Sequence, residues 1–145
     1  MCTSFKGELL VGHHNFGTGV IRAATTADSF KAALFLASAT INASTTAYTT
    51  TGEVTGTNYT AGGVAVTFGT APSTSGTTAF VTPSASITYT NVTLSTAFDC
   101  VLLYNSTQSN KAVSVHTFGS QTVTAGTFTL TMPTNDASTG LIRLA

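Results

Sequence analysis

Residues 127–132 read TFTLTM, which places Phe128, Leu130 and Met132 on one side of an extended chain and three threonines on the other. This period-two alternation constrains the fold more than any other feature, because a helix would scatter the same residues around its circumference. It recurs through the C-terminal half. Val113, Val115 and Thr117 alternate with Ser114, His116 and Phe118, and Ile87, Tyr89 and Asn91 alternate with Thr88 and Thr90, continuing through Val92 and Leu94. Residues 98–104 (FDCVLLY) form an apolar run broken only by Asp99, as expected of a central strand buried on both faces. Residues 120–124 are expected to pair with 127–132 across a turn at Ala125-Gly126, and residues 80–82 form a short strand closed by Pro83. β-Branched residues at alternate positions favour strand throughout. No helix-length segment separates these strands, so the expected fold is mainly β: an antiparallel β-sandwich or Greek-key barrel.

The N-terminal half is less regular. Phe5, Leu9, Leu10 and Val11 share a face at helical spacing, which predicts a short N-terminal helix ended by the glycines at 17 and 19. Ser4 can cap it, although Gly7 stands where a capping box requires Glu. We divide the chain into a helix or arm over 1–27 and a single β domain over 28–145. Residues 30–37 (FKAALFLA) suit a buried strand or two turns of helix, and periodicity leaves both open. Thr, Ser and Asn dominate 38–51 around Tyr48. Residues 53–63 (EVTGTNYTAGG) make a turn-rich loop leading into a strand at 64–68, where Val64, Val66 and Phe68 alternate with Ala65 and Thr67.

Composition narrows the function. The 145 residues suit one domain, only 7% are charged, and the formal net charge is zero. Five basic residues, scattered from Lys6 to Arg143, cannot form a phosphate-neutralising face, so nucleic acid is not an expected partner. The longest apolar stretches fall far short of the roughly 20 residues of a membrane-spanning helix, so no membrane partner is expected either. Roughly a third of the residues are Ser or Thr, and a near-neutral surface favours association, which points to an assembly subunit. Residues 1–7 lack the apolar core of a secretory leader, and Cys2 and Cys100 are expected to be free thiols, Cys2 in a mobile terminus. Synthesis in a cytoplasm is the corresponding expectation.

Candidate chemistry is sparse. The acids are Glu8, Asp28, Glu53, Asp99 and Asp136, and the histidines are His13, His14 and His116. None falls in a zincin, CxxC, nucleophile-elbow or P-loop pattern. A triad of one serine with His116 and Asp99 can be constructed on paper, but any Ser-rich chain permits that. Adjacent His13 and His14 diverge on a helix and cannot clamp one ion. Asp99 reads as a bulge or outward-facing residue, against the alternatives of a buried hydrogen-bond partner or a subunit boundary. A sugar-binding reading would use Tyr48, Tyr59 and Tyr89 as stacking platforms, but few acids accompany them. The glycines at 62 and 63 are explained by a turn or bulge without a ligand. No catalytic residue, metal or cofactor is expected.

The segments SFKGELLVGHHNF (4–16), AYTTTGEVTGTNYTAGG (47–63) and LLYNSTQSNKAV (102–113) resemble a family of small β-rich structural proteins of tailed bacteriophages, similar to capsid decoration (cement) proteins. The resemblance covers nearly the whole chain outside 70–78, and the segment 17–30 is longer here. It implies no catalytic residues. It implies a virion protein on the capsid exterior, with the major capsid protein as partner and a homo-oligomer, favouring a trimer, as its form. The alternative is a tail, adaptor or fibre component engaged in tail assembly or host attachment. Phe5, Leu9, Leu10, Phe16, Tyr48 and Tyr59 are the expected interface residues.

Overall fold

The computed structural model describes Cys2, His13, His14, Phe16, Gly17 and residues 27–145; the predicted N-terminal helix lies outside these residues. The described chain is mainly β, with no helix in it. Seven strands follow in order: β1 (Phe30–Leu36), β2 (Val64–Val66), β3 (Ser73–Ser75), β4 (Thr78–Val81), β5 (Ile87–Asn105), β6 (Lys111–Leu130) and β7 (Ile142–Leu144). They form two antiparallel sheets, ordered β2-β1-β5-β6 and β3-β4-β7.

The segment left open between strand and helix is β1. Ala32, Ala33, Leu34 and Phe35 are all buried, which an extended chain achieves only when both of its faces are covered. β5 divides into two parts for the same reason. Its first half alternates buried Ile87, Tyr89, Val92 and Leu94 with exposed threonines, whereas 101–105 is buried throughout between β1 and β6. Asp99 is the extra residue of a bulge: Phe35 pairs with Cys100 and Leu36 with Phe98, which leaves Asp99 half-buried with no partner across from it.

Two expectations are corrected. Ala125-Gly126 does not turn the chain. Residues 120–124 and 127–130 belong to one continuous strand, β6, and both pair with β5. Ala125 takes a left-handed φ of 46° beside Asn91 at 53° on the partner strand, so the local signal marks a bulge in each strand of one ribbon. Cys2 is not mobile. It is fully buried, and its amide donates to the Val113 carbonyl at 3.2 Å.

Repeated register shifts bend the β5–β6 ribbon strongly. Ile87 and Leu130 at one end and Val101 and His116 further along line the same groove, so the ribbon curls over itself. Phe98, Phe118 and Phe128 fill the bend with ring centroids 5.0–6.0 Å apart.

Candidate functional site

Residues 37–63 cross from β1 to β2 without regular strands, and a connection of this length needs an anchor. The anchor is Glu53. It bridges to Phe35 at the outer edge of β1, and its carboxylate is turned inward, 7% exposed. Oε2 accepts the Tyr48 hydroxyl at 2.6 Å, and Oε1 accepts the Tyr59 hydroxyl and the Gly62 amide, each at 2.8 Å. A buried carboxylate is tolerated only when such donors replace its water.

All four tyrosines of the chain converge here. Tyr104 donates to the Gly62 carbonyl at 2.9 Å, and Tyr89 donates to the Ala32 carbonyl at 2.8 Å. Tyr48 stacks on Tyr104 with centroids 4.7 Å apart, and Tyr59 stacks on Tyr89 at 5.9 Å. Burial raises the pKa of every one of these phenols above its usual range, and the neighbouring Glu53 raises it further. They are therefore held as neutral donors, unsuited to act as bases at neutral pH. Each ring has one face against another tyrosine and its hydroxyl bonded within the protein.

The loop closes on Gly62 and Gly63, both at positive φ. A Cβ on Gly63 would lie 1.7 Å from the Ala32 carbonyl oxygen, so only glycine lets the loop lie this close to β1.

A second polar knot ties the described N-terminal residues to the domain. Asn105, fully buried, donates to Asp28 Oδ2 at 2.8 Å and lies 3.1 Å from His14 Nδ1. Its own Oδ1 accepts the amides of Thr107 and Gln108 and so closes the β5–β6 turn.

The third feature is the groove of about 290 Å³ under the ribbon, lined by Ile87, Val101, Leu103, His116, Leu130 and Met132 among others. His116 Nε2 lies 2.8 Å from Ser114 Oγ, the beginning of a nucleophile–base pair. It goes no further. Ser114 is 2% exposed, and His116 has its side-chain hydrogen bond to Ser114, with none to Asp99. Among the described residues, no three His, Cys, Asp or Glu side chains are placed to hold a metal ion. Nor is any helix there long and apolar enough to cross a membrane.

The expected interface residues divide accordingly. Phe5, Leu9 and Leu10 lie outside the described residues. Phe16 is buried, its ring 5.0 Å from Phe30 and 5.1 Å from Phe68. Tyr48 and Tyr59 are half-buried, with their hydroxyls committed to Glu53. Sequence reasoning overlooked Glu53 and Asn105 as organising residues. The available signal was an isolated acid between two tyrosines in an otherwise uncharged stretch.

Compared with known protein families, curated proteins and solved structures, the chain matches none.

Proposed function

We propose that this chain is a structural protein of a tailed-phage virion, a decoration protein that binds the outer surface of the head and stabilises the shell through subunit contacts. In this reading its two antiparallel sheets pack as a sandwich, it self-associates, and the major capsid protein is its partner. It is not an enzyme.

One observation carries the reading. The motifs that resemble the phage family are the ones that build the two polar knots: 47–63 supplies Tyr48, Glu53, Tyr59 and Gly62, and 102–113 supplies Tyr104 and Asn105. The chemistry-bearing groups of these motifs thus turn inward to make a rigid scaffold. Thr88, Thr90, Thr122, Thr124, Thr127, Thr129 and Thr131 face outward. Such a surface is suited to close packing against other subunits. Binding only the assembled shell stabilises it by mass action, in proportion to occupancy.

Quantifying the protein in purified particles tests the proposal. A copy number near one per capsid subunit, with DNA release at lower temperature when the protein is omitted, is the expected result. A few copies per particle would assign it to the tail, and absence from the particle would overturn the reading.

A further inference from the structure

We propose that the end of β6 is a self-association edge, where residues 126–131 pair antiparallel with the same residues of a second copy about a two-fold axis near Thr129. β6 is the outer strand of its sheet. Among the described residues its outer side is covered at its beginning alone, where Ala47 bridges to Lys111, Thr46 accepts the Ala112 amide, and Cys2 donates to Val113. Beyond Val113, no backbone group among the described residues bonds to that side.

Soluble β proteins guard such edges with charge, proline or bulges. Here the bulges end at Ala125-Gly126, and residues 112–132 contain no Asp, Glu, Lys, Arg or Pro. Residues 127–130 are therefore a regular, uncharged strand end with an open row of amides and carbonyls among the described residues. Thr127, Thr129 and Thr131 are exposed on one face, and Phe128 and Leu130 are half-buried on the other.

A second copy is the occupant that fits. A strand pairing antiparallel with itself is self-complementary about a two-fold. With no formal charge on the segment, nothing repels the identical partner. The same axis sets the two apolar grooves beside Leu130 and Met132 next to each other. The opposite side of the sheet cannot extend the pairing into a ring. That edge is β2, only three residues long (Val64–Val66), and the part of β1 beyond it is occupied by Val54 on the Leu34 carbonyl and by the Gly52 carbonyl on the Leu36 amide. Edge pairing thus closes at a dimer.

Sedimentation of the purified full chain over a concentration series tests this. A monomer–dimer equilibrium is expected; a monomer throughout, or a trimer, overturns the proposal. Thr127→Lys combined with Thr129→Lys places like charges across the axis and should weaken dimerisation at least about tenfold, while Thr74→Lys, on exposed β3 of the other sheet, leaves it unchanged. An unchanged dimer in the double variant also overturns it. Should the double variant not fold, hydrogen exchange on the wild-type chain decides: the amides of 126–131 should exchange more slowly as concentration rises, and concentration-independent exchange counts against the edge. The experiment concerns the isolated chain, so its failure is distinct from absence of the protein from virions.

Discussion

Tyr59 donates its hydroxyl hydrogen to Glu53 at 2.8 Å and accepts the Leu34 amide at 3.0 Å with the same oxygen. One phenol therefore joins the long β1–β2 connection to the strand it crosses, and satisfies both a buried carboxylate and a backbone donor that no strand reaches.

Removing that oxygen leaves the buried Leu34 amide unpaired and takes one of three donors from the Glu53 carboxylate. Tyr59→Phe should lower the unfolding free energy by about 2 kcal/mol, and Tyr48→Phe, whose hydroxyl donates to Glu53, by about 1 kcal/mol. Glu53→Gln, which turns an amide NH₂ toward groups that are themselves donors, should cost about 2–3 kcal/mol. Urea denaturation of the variants measures this, and unchanged midpoints would show that the knot is not structural.

Glycine substitutions should separate sharply. Gly63→Ala drives a Cβ to 1.7 Å from the Ala32 oxygen at a φ of 72°, and should cost more than about 3 kcal/mol or prevent folding. Gly119→Ala meets nothing within 4 Å and should change stability by less than about 1 kcal/mol. Expression and thermal melting of the pair compare them directly.

Burial lowers the pKa of His116 below its ordinary 6.5. Between that folded value and 6.5 the unfolded chain binds more protons than the folded one, so stability rises with pH through this window. The contribution is complete above about pH 6.5 and is lost as pH falls toward the folded value. The difference in unfolding free energy between wild type and His116→Gln, followed from pH 7.5 to acid, should shrink as pH falls; a constant difference would remove His116 as its source.

Cys2 and Cys100 are both buried, and burial together with the Asp99 carboxylate pushes the Cys100 thiol up to about 11. Neither should react with a thiol reagent on the native protein at pH 8, and both should react on denaturation. Rapid labelling of Cys2 in the native state would contradict its contact with β6.

Much of the β architecture was legible because side-chain alternation is a local property. Ile87, Tyr89 and Leu94 announce their faces, the double glycine announces a turn, and Asp99 in an apolar run announces a bulge. Ala125-Gly126 was misread for the same reason. A turn and a bulge both use a left-handed residue, and what separates them is whether β5 continues alongside, which no local pattern encodes.

By itself the sequence determined that the chain is β-rich, poor in charge and confined to a few ionisable groups, because these follow from composition and period alone. Only the tertiary structure decided that tyrosines at 48, 59, 89 and 104 meet around one glutamate, and that β6, an outer strand, keeps an edge open among the described residues. Both depend on partners far apart in the chain. A buried carboxylate takes its donors from wherever folding brings them, and a strand's edge is free only when no other segment reaches it.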